Sequence, residues 1–186
     1  MALELIIGPM FAGKSCEIIR RIRMLKVLKK NYIVVKPSID TRYDDNMIVS
    51  HNFDKEDCIK LNKLSDIYNI DNNIFNSCDT ILIDEGQFFD DLFETVKNLV
   101  EICRKNVIVS GLIGDYNRMK FGQISDLIPI CDLDKITILT ALCLHCMDGT
   151  PASFSHRNNL SNEQILIGES DMYSSIFRKH YLQLKN

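Results

Sequence analysis

The chain has 186 residues, 46% of them hydrophobic, and a formal net charge of −3. That is enough apolar material for one normally packed domain with a small appended lobe. The acidic balance speaks against a broad nucleic-acid-binding face, and no apolar run reaches the roughly 20 residues of a membrane span. Seven cysteines, an odd number, with no signal-peptide layout before the first apolar stretch, argue against a disulfide framework. A cytoplasmic location is the expectation.

The first predicted element is a buried strand, Leu3-Glu4-Leu5-Ile6-Ile7. It runs into Gly8-Pro9-Met10-Phe11-Ala12-Gly13-Lys14-Ser15, which fits G-x-x-x-x-G-K-[ST] at every fixed position. From Cys16 to Lys30 the residues Ile18, Ile19, Ile22, Leu25 and Leu28 recur at helical spacing, with Arg and Lys on the other face. Strand, glycine-rich loop and helix form the context that turns a pattern match into a P-loop. The residue types follow from the chemistry. Glycines allow backbone shapes that a Cβ opposes, so amide N–H groups can converge on phosphate oxygens. The helix N-terminus adds positive potential. Lys14 would reach the β/γ-phosphates, and the Ser15 hydroxyl would ligate Mg²⁺.

Tyr32 to Lys36 reads as a second strand, ended by Pro37. Ser38 to Asp57 is polar and without periodicity, which predicts a long functional loop. Within it, Asp40 and Arg42 offer a second acid and a fixed positive charge that could steady a transferring phosphoryl group, or simply a solvated stretch. Ile59 to Tyr68 is expected to be helical, and Ile70 to Asp79, rich in Asn and Asp, a loop. Thr80 to Asp84 is a strongly apolar strand expected beside the P-loop strand, ending in an acid of Walker-B type that holds Mg²⁺ directly or through water. Glu85 follows at once and carries two readings, activation of a water or proton abstraction from a substrate hydroxyl. Phe88 and Phe89 can stack on a base or pack in the core. Leu92 to Cys103 carries a helical stripe, Asn106 to Ser110 is a strand, Leu112 to Gly122 a loop, Ile124 to Ile130 a short helix and Ile136 to Leu142 a fifth strand. Strands alternating with helices indicate an α/β fold of P-loop NTPase type, a mainly parallel sheet flanked by helices. In such sheets ligands sit off the carboxyl ends of the strands.

At Cys143 the texture changes. The expected organisation is therefore a P-loop α/β domain over 1–142 and a lobe over 143–186. Cys143 and Cys146 form a CxxC, half of a zinc ribbon, and His180 is the candidate third ligand. A redox pair and two plain cysteines are the alternatives. His145 is expected to be exposed, His51 and His156 to be loop residues, and Cys16, Cys58, Cys78, Cys103 and Cys131 to be small buried or half-buried side chains. Met147 to Leu160 is polar, and Gln164 to Ile167 is a short strand candidate. Read from the residues alone, the chain is a Mg²⁺-dependent P-loop phosphotransferase or hydrolase. The alternative within that class is an ATPase or switch module whose CxxC lobe binds a partner.

The assembled motifs resemble those of the type II thymidine kinases, the cytosolic and poxvirus-like family of deoxynucleoside kinases. The resemblance runs from Leu5 to Tyr181. It is carried by Ile7 to Ser15, Asp40-Thr41-Arg42-Tyr43, Asp84-Glu85-Gly86-Gln87-Phe88-Phe89, the Cys143/Cys146 pair, Ala152-Ser153-Phe154-Ser155-His156-Arg157 and Ile167-Gly168 leading to Asp171-Met172-Tyr173. It implies transfer of the ATP γ-phosphoryl group to the thymidine 5′-hydroxyl, giving dTMP and ADP in pyrimidine salvage. It further implies that Gly8 to Ser15, Asp40, Thr41, Arg42, Asp84 and Gln87 hold ATP and Mg²⁺, and that Glu85 is the general base, with Lys14 and Arg42 assisting. Phe88 and Tyr116 would flank the thymine. Ser155, Gln164, Ile165, Leu166, Ile167 and Gly168 would belong to a lasso-like loop over the nucleoside, and Tyr173 would lie on the sugar side. A structural Zn²⁺, a homotetramer and feedback inhibition by dTTP are also implied, with no nucleic-acid or membrane partner. The chain departs from the family pattern at Phe177, where a fourth zinc ligand usually stands. It departs again at 147–152, about two residues longer than usual, at Tyr116, where Phe is common, and at Ile113, where a polar residue is usual.

Overall fold

A computed structural model describes residues 1–40, 47–49, 55–158, 163–166, 168 and 171–184. In chain order its elements are β1 (Ala2–Ile7), α1 (Lys14–Val27), β2 (Tyr32–Pro37), β3 (Met47–Val49), β4 (Lys55–Asp57), β5 (Ile59–Leu61), α2 (Asn72–Ser77), β6 (Thr80–Ile83), α3 (Leu92–Glu101), β7 (Asn106–Gly111), β8 (Ile136–Ile138), β9 (Ala141–Leu142), β10 (Pro151–Ala152), β11 (Phe154–Arg157), β12 (Tyr173–Ile176) and α4 (Arg178–Leu184). Tight 3₁₀ turns occupy Leu64–Asn69, Gly86–Phe88, Ile124–Ile130 and Leu133–Lys135.

Strands apolar on both faces need cover on both sides. Six of them form one sheet in the order β5-β2-β6-β7-β1-β8, and every pairing in it is parallel. Alternation sends Leu3, Leu5, Ile7, Ile81, Ile83, Val107 and Val109 to one face, where Leu92, Val96 and Leu99 of α3 cover them. Ile6, Val34, Leu82 and Ile108 point to the other face, under Ile18, Ile19 and Ile22 of α1. Both helices are therefore amphipathic for the reason the sequence spacing suggests. The fold is the expected α/β layer structure. No helix among the described residues is long and apolar enough to cross a membrane.

Several expectations are corrected. The strand carrying Asp84 is not beside the P-loop strand: β7 lies between β6 and β1. Ile59 to Tyr68 is not one helix. Its first part is β5, drawn into register with the end of β2 (Val35 opposite Ile59), and only Leu64–Asn69 turns, as a 3₁₀ segment burying Leu64 and Ile67 three apart. The start of that turn is capped from far away, since the Asp91 carboxylate accepts the N–H groups of Leu64 and Ser65, each at 2.9 Å. The Asn-rich stretch before β6 holds α2, capped by Asp71, whose carboxylate accepts from Asn73 and Ile74. The long polar loop contains the antiparallel pair β3–β4, which buries Ile48 and Val49. The short helix expected at Ile124 to Ile130 is 3₁₀ in form, with Pro129 inside its last turn. The fifth strand divides, β8 joining the edge of the main sheet and β9 pairing with β10 in the late lobe. Residues 164–166 form no strand. The lobe's other two-stranded sheet is β11–β12, and Ile167 lies outside the described residues.

The cysteines are free thiols. Cys58, Cys78 and Cys131 are buried and Cys16 and Cys103 half-buried. Burial pushes the Cys58 and Cys131 thiols up to about 11 each, so both are packing residues with little thiolate at neutral pH.

Candidate active site

The glycine-rich loop leaves the end of β1 and enters α1 at Lys14, two residues earlier than the apolar spacing suggests. Gly8 is held by a close approach: a Cβ there would lie 2.5 Å from the Leu139 carbonyl oxygen. The Lys14 ammonium curls back and donates to the Pro9 carbonyl at 2.9 Å, inside the cradle. Ser15 Oγ donates to Asp84 Oδ2 at 3.2 Å, and Ser110 Oγ at the end of β7 donates to Asp84 Oδ1. The intervening strand thus supplies the hydroxyl that orients the acid. A hydroxyl and a carboxylate side by side at the carboxyl end of a sheet are hard oxygen donors of the kind that take Mg²⁺. Asp40 is buried and lines the same cleft. Thr41 and Arg42 lie outside the described residues.

Glu85 is buried and sits in the left-handed region, φ 51° and ψ 42°. Its carboxylate Oε2 accepts from Gln87 Nε2 at 2.5 Å, while Gln87 Oε1 accepts from the Leu112 N–H at 3.0 Å. The two phenylalanines divide the alternatives between them. Phe89 is fully buried, whereas Phe88 lines the cleft, edge-on to Phe121 with ring centroids 5.5 Å apart.

The opposite wall comes from the late lobe. Ser155 Oγ accepts from the Met10 N–H at 3.0 Å, which joins the lobe to the glycine-rich loop. Tyr116, Gln164, Ile165, Leu166, Gly168 and Tyr173 line the same cleft. Three residues that the sequence did not single out also line it. Lys36, at the end of β2, donates to the Met47 carbonyl at 2.7 Å. Asp115 Oδ1 accepts from Asn117 and Met119 and Oδ2 from Gln164 Nε2, which ties the 115–120 loop to the lobe. Arg157 is buried with its guanidinium toward Tyr116 and Tyr173. Lys36 and Asp115 belong to no local motif, and Arg157 ends the quoted Ala152-to-Arg157 stretch, which gave it no role. Ile113 is exposed, and nothing in the structure explains it.

Farther along the lobe, Cys143, Cys146 and His180 converge, their ligand atoms within 4.8 Å of one another. The Cys143 sulfur is 3.5 Å and the Cys146 sulfur 3.9 Å from His180 Nδ1. Burial raises the Cys143 thiol. The Phe177 N–H, the His180 side chain and the N–H groups of Cys146 and His145 outweigh it and bring the group down to about 6. Two thiolates and an imidazole fit three corners of a tetrahedral zinc site. Phe177 stands edge-on to the His180 ring, centroids 4.7 Å apart, and offers no donor. Among the described residues the cluster has no fourth His, Cys, Asp or Glu.

Comparison with known proteins gives consistent matches. A family model described as thymidine kinase matches residues 1–181. Thymidine kinase a of Arabidopsis thaliana is 40% identical over 184 residues, covering 97% of this chain and 75% of that protein. The thymidine kinase of raccoon poxvirus is 38% identical over 182 residues, 97% of this chain and 96% of its own length. That of Bacteroides thetaiotaomicron is 34% identical over 189 residues, 98% and 88% respectively.

Proposed function

We propose, since the chain belongs to the thymidine kinase family and is therefore a kinase, that it moves the γ-phosphoryl group of ATP to the 5′-hydroxyl of thymidine, with Glu85 as general base. The observation that carries this reading is that one cleft holds Lys14, Ser15 and Asp84 at one end and the buried, Gln87-oriented Glu85 carboxylate beside them. As the 5′-oxygen attacks the γ-phosphorus, its proton passes to Glu85, the bond to the β-bridging oxygen breaks, and dTMP and ADP leave. Lys14 and the loop N–H groups neutralise phosphate charge. Ser15 and Asp84 are the residues that would hold Mg²⁺, which supplies further neutralisation. Arg42 is assigned to the phosphates as well, and Thr41 and Asp40 to the nucleotide side.

On the nucleoside side the reading gives Phe88 and Tyr116 the base. Ser155 and the 164–168 segment receive its polar edge, and the ring of Tyr173 the sugar. A segment that covers the acceptor keeps water from the γ-phosphate, the condition that separates a kinase from an ATPase. Cys143, Cys146 and His180 would hold a structural zinc that stiffens this lobe. Division into a 1–142 kinase domain and a 143–186 lobe, a role in pyrimidine salvage, a cytoplasmic location, assembly as a homotetramer and inhibition by dTTP belong to the same proposal. The test is ATP turnover with Mg²⁺, with each of the four deoxynucleosides and with none. Thymidine-dependent formation of the monophosphate supports the reading. Turnover that thymidine leaves unchanged would make the enzyme an ATPase and Glu85 a water activator.

A further inference from the structure

Arg157 closes β11 with its side chain inside the protein, 4% exposed, and the proposed chemistry gives it no task. Its guanidinium gathers groups from three separate parts of the chain. Nε and Nη2 donate to the Tyr173 hydroxyl at 3.2 and 2.7 Å. Nη1 donates to the Glu163 carbonyl and Nη2 to the Gln164 carbonyl, the latter at 3.1 Å. The guanidinium carbon lies 3.9 Å from the centroid of the Tyr116 ring. The Tyr173 hydroxyl itself donates to the Leu166 carbonyl at 2.7 Å. A phenol has one proton and two lone pairs, and these contacts use all three.

A planar fork with five donors can serve a ring face and several carbonyls at once, which a lysine ammonium cannot do. We infer that Arg157 is a positioning residue: it latches the 163–166 segment over the cleft and fixes the Tyr116 ring, with the Tyr173 hydroxyl as a relay in the latch and not a substrate contact. The inference rests on the proposed nucleoside-binding role of this wall. The latch would raise affinity for the acceptor by holding its wall in place before binding, while the nucleotide end, built on β1, β6 and β7, does not depend on it.

The experiment compares the full-length wild type with Arg157→Lys, Tyr173→Phe and the double variant. The readouts are steady-state kinetics in both substrates and amide hydrogen exchange across 163–168. Arg157→Lys is expected to raise the thymidine KM at least about tenfold while the ATP KM moves less than about threefold. Exchange of the segment should quicken by about tenfold or more with the central sheet unchanged. Tyr173→Phe, which removes only the hydroxyl, should act in the same direction, and the double variant should be no worse than the worse single. An unchanged thymidine KM in Arg157→Lys overturns the inference, whatever exchange does. So does an equal rise in both KM values with faster exchange throughout the sheet, which is the mark of a merely structural role. Additive losses in the double variant overturn the relay. If the wild type does not phosphorylate thymidine, the proposed reaction fails instead. The exchange arm then still decides the latch, local quickening supporting it and none refuting it.

Discussion

Glu85 holds a backbone conformation that costs a non-glycine residue roughly 1–3 kcal/mol and persists only where its surroundings enforce it. Here the enforcing contacts are the Gln87 amide on its carboxylate and the turn Gly86–Phe88, in which Gly86 and Gln87 are buried. Replacing Glu85 with Gln keeps the shape and removes the base, so turnover should fall at least ~10²-fold while ATP binding persists. A variant with near-normal turnover would take Glu85 out of that role. The support beneath it can be tested separately. Gly122 has φ 60°, and a Cβ there would stand 2.2 Å from the Gln87 carbonyl oxygen. Gly122→Ala should therefore cost more than ~1 kcal/mol in urea unfolding, with Glu85 displaced and kcat lowered. At this scale the sequence was legible where cleft-lining residues stand next to one another in a motif, as Lys14 and Ser15, and Asp84 and Glu85, do. Ser110, Asp115 and Arg157 act on partners 26, 49 and, for the Tyr116 ring (157 − 116), 41 positions away, and no local pattern tells what they touch.

Among the elements, periodicity was a sound guide where one face alone is buried. The α3 helix is such a case. Leu99 is fully buried against the sheet, so Leu99→Ala should lower stability by ~2–5 kcal/mol. The urea midpoint should fall with little change in m. A loss under about 1 kcal/mol would mean that the α3 face is loosely packed. Periodicity misled where an element owes its form to a distant partner. Ile59 to Leu61 became β5 because the end of β2 offered an open ladder, and the turn after it is capped by Asp91. The Gln164 to Leu166 stretch has a strand-like sequence, yet its carbonyls go to Arg157 and Tyr173 in place of a ladder.

The molecule as a whole is tied together by contacts between its two ends. Met10 of the glycine-rich loop donates to Ser155, and Phe11 and Ala12 pack on the lobe's small core of Ala141, Ala152, Ile176 and Tyr181. Tyr181, next to His180, donates from its hydroxyl to the Tyr116 carbonyl at 2.9 Å. Whatever holds Cys143, Cys146 and His180 together therefore also holds the Tyr116 loop. Removing metal with a chelator, or replacing Cys143 with Ser, should lower Tm and raise the thymidine KM more than the ATP KM, with elemental analysis following zinc content. Zinc-free protein with unchanged Tm and kinetics would make the three residues an ordinary packing cluster.

Sequence alone determined the glycine-rich loop, the acid–acid pair after β6, the CxxC and the parallel α/β character. Each depends on residues adjacent in the chain or on a repeat of burial along one element, so the physical cause and its trace lie in the same short stretch. Tertiary structure alone decided that β7 stands between the P-loop strand and Asp84 and supplies Ser110 to it. It also decided that Phe88 faces the cleft while Phe89 fills the core, and that the Gln164 carbonyl and the Tyr173 hydroxyl meet on Arg157. These outcomes depend on which hydrogen-bonding and apolar groups meet after the sheet has assembled. That is a property of three-dimensional proximity, which no spacing along the chain encodes.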